Sequence, residues 1–219
     1  MPSLTEQYQQ LFHRFGSPLK RAHAVPAAVL DQAEQRLGHA IPHALRAYYE
    51  VAGRERRFNR SLQTFLSPAK WFVDQGRLAF LEENQSVCCW GVSLKSPGAK
   101  DPRIDQGVRH DDGIGWSKEH IKCSQFLAVI LHYQAVSGGF PHCASGDAPK
   151  DIHLRLKREG WKYVGQCNQL WAFSRPNQAV CIMANESLPF LSAMMLMAGG
   201  KTPADLEAIG QSLRVKLDD

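Results

Sequence analysis

The chain has 219 residues, of which 44% are hydrophobic and 21% charged, and a formal net charge of +5. That length and balance suit one large globular domain and exclude a mostly disordered chain. The mildly basic charge is scattered apart from Arg54-Glu-Arg-Arg57 with Arg60 and the stretch 150–162, neither dense enough for a nucleic-acid arm.

The first third reads as helices. Leu4, Tyr8, Leu11, Phe12 and Phe15 recur at steps of three and four, with Ser3 as N-cap and Gly16 as stop. A second helix starts at Pro26, presents Val29, Leu30, Ala33 and Leu37 on one face, and ends at Gly38. A third runs over 42–51 and closes at Gly53, after which 54–61 is polar. Ser67-Pro68 opens a short helix through Trp71 and Phe72, stopped by Gly76.

The segment 78–92, LAFLEENQSVCCWGV, is an apolar run, a polar cluster and a second apolar run, which predicts two strands joined by a turn. A loop over 95–102 precedes short strands at 103–108 and 113–116. Phe126, Val129, Ile130 and Tyr133 predict a helix over 124–137, ended by Gly138-Gly139. Then come a helix over 148–159, capped by Gly160, and antiparallel strands at 162–165, 170–174 and 179–184 around the Arg175-Pro-Asn-Gln178 turn. An apolar helix over 187–197 and a last helix opened by Thr202-Pro-Ala-Asp205 complete the order. Helices, strands and helices again give an α+β fold, with an antiparallel or mixed sheet and helices packed mainly on one side.

No chemical motif stands out. Cys88 and Cys89, adjacent on a strand, point to opposite faces and cannot share a metal. His120 with Cys123 and His142 with Cys143 offer zinc-type ligands at a spacing no standard zinc motif uses. Glu82 and Glu83 are consecutive, so as strand residues they diverge, although a turn brings such carboxylates together. Arg109-His110-Asp111-Asp112 reads as a solvated turn, and Trp90, Trp116, Trp161 and Trp171 as core volume or the lining of a groove. Six cysteines inside mostly apolar runs read as buried thiols. The first residues lack the basic and apolar regions of a signal peptide, and the apolar stretch 188–199 is too short for a bilayer, so a cytoplasmic protein without membrane contact is expected.

Taken together, Ile41-Pro-His-Ala-Leu-Arg-Ala-Tyr-Tyr-Glu-Val-Ala-Gly53, then LAFLEENQSVCCWGV, then Asp101-Pro-Arg-Ile104 resemble the SUKH superfamily. That family includes regulators of cell-wall synthesis and bacterial immunity proteins that neutralise cognate toxins. The resemblance spans roughly 25–108 and lacks the Gly-rich acidic turn of some branches. It implies one SUKH-like α+β domain over 1–219, with N-terminal helices and a C-terminal helical extension. It also implies a cleft that holds a protein partner, no catalytic residues and no cofactor. Ile41, Pro42, Tyr48 and Gly53 then fall at structural positions, and Glu82, Glu83, Asn84, Trp90, Asp101 and Pro102 on a partner-facing rim. The expected activity is steric and electrostatic occlusion of a toxin's active site. A small metal- or thiol-dependent enzyme and a regulatory scaffold without a toxin are the alternatives, and the oligomeric state stays open.

Overall fold

The structure, a computed structural model, describes residues 2–96, 98–184 and 194–218. It is α+β, with two antiparallel sheets where the sequence reading expects one. Its contacts gather into two compact units, one of residues 1–11 and 19–127, the other of 12–18 and 128–219.

The first unit opens with α1, Leu4–Arg14, whose last three residues belong to the second. Ser3 and Glu6 cap it reciprocally: the Glu6 amide donates to Ser3 Oγ at 3.2 Å and the Ser3 amide to Glu6 Oε2 at 2.6 Å. α2, Ala27–Leu37, follows Pro26 and ends at Gly38 in the left-handed region, φ 69°. α3, His43–Ala52, follows Pro42 and ends at Gly53, which stays right-handed. Within 54–61, Glu55 accepts from the Phe58 amide at 2.8 Å and starts a short helix, α4, Arg56–Asn59.

The six strands that follow are β1 Thr64–Phe65, β2 Phe72–Asp74, β3 Arg77–Glu82, β4 Cys88–Ser93, β5 Arg103–His110 and β6 Gly113–Lys122. They order as β1-β3-β4-β5-β6, with β2 also paired to β3. The short helix expected from Ser67 is a single 3-10 turn, Pro68–Lys70, and Phe72 is already strand. The strand expected at 113–116 runs on to Lys122. α5, Cys123–Gln134, then leaves the first unit after Leu127.

α3 holds the core of this unit through two adjacent tyrosines that are wholly buried. The Tyr49 hydroxyl donates to Leu66 O at 2.7 Å, Trp71 Nε1 donates to the same oxygen at 3.1 Å, and Tyr48 bonds Asn59 Oδ1. Burial pushes both phenols well above the ordinary value, so they work here as neutral donors. Phe65, Phe80 and Phe126 complete the aromatic cluster.

The second unit is built on a five-stranded sheet ordered β7-β11-β10-β9-β8. Its strands are β7 His142–Ala148, β8 Lys162–Cys167, β9 Leu170–Arg175, β10 Gln178–Ala184 and β11 Met194–Gly200. α6, Ile152–Arg158, and α7, Pro203–Leu213, close over it, with Ile152, Leu156, Ile209 and Leu213 in one buried cluster with Val180, Ile182 and Leu196. The helix expected over 148–159 is therefore shorter, because Ala148 ends β7. Of the helix expected over 187–197, residues 187–193 lie outside the described residues, and 194–197 are strand. β11 pairs with β10 on one side and β7 on the other, and that double ladder outweighs the helix preference of its Met and Leu residues. α5 ends in a wide turn, Ala135–Gly139, with Gly138 at φ 104°.

Candidate functional site

The two faces of the first sheet have opposite chemistry. On one, Trp90 and Phe80 reach Phe126 of α5, at ring separations of 6.2 and 6.1 Å. Strand alternation turns Cys89 and Gly91 to the other face. There the glycines of β4 and β5 form a floor. A Cβ placed on Gly91 would stand 2.9 Å from the Trp116 ring, and one on Gly107 would stand 3.1 Å from it. Trp116 thus lies over two positions that only glycine keeps open.

Around this indole the polar groups are interlocked. Trp116 Nε1 donates to Asp74 Oδ2 at 2.6 Å, and the Arg77 guanidinium stands 5.7 Å from the ring centroid. Arg77 Nε donates to Asp105 Oδ2 at 2.8 Å, both side chains being nearly buried, while Nη1 donates to Gln75 O at 2.8 Å. Arg109 pairs with Glu82 and lies over Phe72 at 5.6 Å. The register places Arg103 and Lys118 on this face as well, both exposed and without an ion pair among the described residues. With Lys122, which pairs opposite Arg103, five cations, Arg77, Arg103, Arg109, Lys118 and Lys122, share this face with three carboxylates, Asp74, Glu82 and Asp105. The result is a rigid aromatic and guanidinium surface with a small positive excess.

Its one thiol is poorly suited to attack. Burial, reinforced by Glu82, pushes Cys89 up to about 11, and the nearby Arg109 does not reverse this. Burial likewise raises Cys88, Cys123, Cys143 and Cys181. Among the described residues no group of three or more His, Cys, Asp or Glu side chains is placed to hold a metal ion, and no helix is long and apolar enough to cross a membrane.

The residues singled out in the sequence fall at different places. Glu82 ends β3 and is tied to Arg109. Glu83 organises the turn: its amide donates to Cys88 O at 2.9 Å, and its carboxylate accepts from the Gln85 and Val87 amides at 2.9 and 3.3 Å. Asn84 is exposed at the tip, its amide bonded to Gln63 Oε1 at 3.0 Å. Trp90 is buried and donates from Nε1 to Glu119 Oε1 at 3.1 Å. Asp101 caps α5, accepting from the Ser124 amide at 2.9 Å and from the Ser124 hydroxyl at 2.7 Å. Pro102 is buried beside it. The turn residues share the Cys88–Val108 end of the β4–β5 ladder, and Asp101 the opposite, Val92–Ile104 end. The six side chains do not form one rim. Trp90 and Trp116 sit on opposite faces of the sheet, so they do not line one groove. In the second unit, Trp161 is buried beneath Arg175 at 4.8 Å and Trp171 packs beside His153 at 5.5 Å.

Of the residues that carry the open face, Gly91 and Gly107 were readable only as strand members and Trp116 as strand, core volume or groove lining, while Arg77 fell outside the strands read from the sequence. The available signal was a glycine inside each of two neighbouring strands, which marks close approach by another group. No family model matches the chain, and no curated protein or solved structure matches it significantly.

Proposed function

We propose that the chain is a non-catalytic protein-binding module of SUKH type, acting as an immunity protein that covers the active site of a cognate toxin domain. The reading starts from the resemblance of 41–53, 78–92 and 101–104, and the observation that carries it is the open face of the first sheet. Tryptophan and arginine dominate the energetics of protein interfaces because they bury much area at fixed geometry. Trp116 is already held in place by Asp74, Gly91 and Gly107, and Arg77 by Asp105, so docking orders little that is not ordered beforehand. Arg103 and Lys118 at its margin, without an ion pair among the described residues, suit an acidic partner surface and would hasten encounter with it. Asn84 extends the contact at the hairpin tip.

The test is to look for a toxin domain encoded by the neighbouring genes and to co-express the chain with it. The chain is expected to co-purify with that domain and to restore growth. The double variant Arg103→Glu with Lys118→Glu is expected to fold normally and lose both properties. Absence of any complex, or full protection by the double variant, would overturn the reading.

A further inference from the structure

A cleft of about 760 Å3 opens in the second unit where the start of β7, α7 and the tail after it meet. This is within the range of sites for small organic ligands. Its apolar wall comes from Pro141, Leu206 and Leu217. Arg214, immediately after the C-terminal end of α7, and His142 on β7 also line the cleft. Neither side chain has a hydrogen bond or ion pair among the described residues.

Arg214 occupies a position that backbone geometry assigns to glycine. It sits in the left-handed region at φ 52° and ψ 52°, immediately after the last residue of α7. Its amide donates to Gln211 O at 3.2 Å, and the next amide, of Val215, donates to Gly210 O at 2.9 Å. The carbonyls of Leu213 and Arg214 are already satisfied by Arg155, at 2.8 and 3.2 Å. The Arg214 side chain is therefore not required for the helix end, and its backbone would be less strained without it. Strain of this kind, retained at a charged residue that lines a cavity, points to a ligand.

We propose that this cleft binds a small amphiphilic monocarboxylate, its apolar body against Leu206 and Leu217 and its carboxylate on Arg214, with His142 as a second donor. Glu207 lines the same cleft seven residues before Arg214, about 10 Å along the helix, and repels a second negative charge at that end. The site thus selects one carboxylate over two. It lies wholly in the second unit and is independent of the sheet face proposed above for a protein partner.

The full chain titrated with octanoate, octanamide and octanedioate, read by calorimetry and by thermal unfolding, tests the site. Octanoate is expected to bind and raise the melting temperature, and the amide and the dicarboxylate to bind at least tenfold more weakly. Arg214→Gly is expected to melt higher than the parent in the absence of ligand, yet to weaken octanoate roughly ten- to a hundredfold, the range of a charge-assisted hydrogen bond. Glu207→Gln is expected to narrow the preference for octanoate over octanedioate. No binding of octanoate by the parent, equal binding of octanamide, or unaltered octanoate affinity in Arg214→Gly would each overturn the proposal.

Discussion

Trp116 rests on Gly107: a Cβ at residue 107 would approach the indole to 3.1 Å and Ile114 Cγ2 to 2.5 Å. A methyl group there has to displace one or both. Gly107→Ala is expected to lower stability by about 2 kcal/mol in urea unfolding, the scale of overpacking, and to alter tryptophan fluorescence as the indole lifts from Asp74. Unchanged stability and emission would show that the ring has room to move.

Asp101 and Ser124 are joined by two bonds on the first turn of α5. Asp101→Ala is expected to remove about 1–2 kcal/mol, the worth of a helix N-cap. Ser124→Ala added to it should cost little more, because the hydroxyl has already lost its acceptor. Additive losses in a double-mutant cycle would show separate roles.

Arg46 meets three carboxylates, Asp31 at 2.7 Å, Glu50 at 3.0 Å and Glu34 at 3.1 Å, and so ties α2 to α3. Each pair is partly exposed, and each alone would be worth little. Arg46→Ala leaves three anions close together and is expected to destabilise by about 1–2 kcal/mol, with the loss shrinking as salt screens them. A loss independent of salt would assign the effect to packing of the arginine stem.

His132 is buried, its Nδ1 proton donated to Ala128 O at 2.7 Å, with Nε2 lacking a partner and the ring edge-on to Phe15. Burial holds its pKa down to about 4, and the cations Arg14 and Lys162 act in the same direction. In the unfolded chain the value is about 6.5, so between these limits the unfolded state takes up a proton that the folded state refuses. Stability present above pH about 6.5 is therefore lost as pH falls towards 4, by about 3 kcal/mol from this residue. His132→Phe should flatten that part of the stability–pH curve, and a curve unchanged by the substitution would sink the assignment.

Thiol labelling gives a direct check on the chemistry of the six free cysteines. Cys89, Cys123 and Cys181 are buried and raised, so they should resist Ellman's reagent at neutral pH until the chain unfolds. Rapid labelling of the native protein at Cys89 would reopen a thiol-dependent reading of the sheet face.

How much of this was legible in the sequence depends on how local the signal was. α2 and α3 were readable because Pro26, Gly38 and Pro42 bracket them and their apolar residues repeat at helical steps. The β3–β4 hairpin was readable from the polar turn between apolar runs. β11 was not, since a strand paired on both sides is an apolar run without alternation, and periodicity cannot separate it from a helix. β7, with Ser145, Gly146 and Asp147 and only Cys143, Ala144 and Ala148 as small apolar residues, carries a weak strand signal; its place comes from pairing with β11 and from the Ser145–Asp218 bridge. For the open sheet face, the sequence holds Trp116 and its two glycines 9 to 25 residues apart, and only strand register stacks them.

Phe12 and Phe15 belong to the second unit although they lie near the start of the chain. Phe15 packs against His132 at 4.9 Å and Phe140 at 5.5 Å, and the Asn177 amide closes on Arg14 O at 2.7 Å. On the ribosome the Phe15 ring emerges before the first sheet, and His132 and Phe140 only after it. During synthesis it therefore stays apart from these partners, the kind of transiently exposed apolar group on which chaperones act.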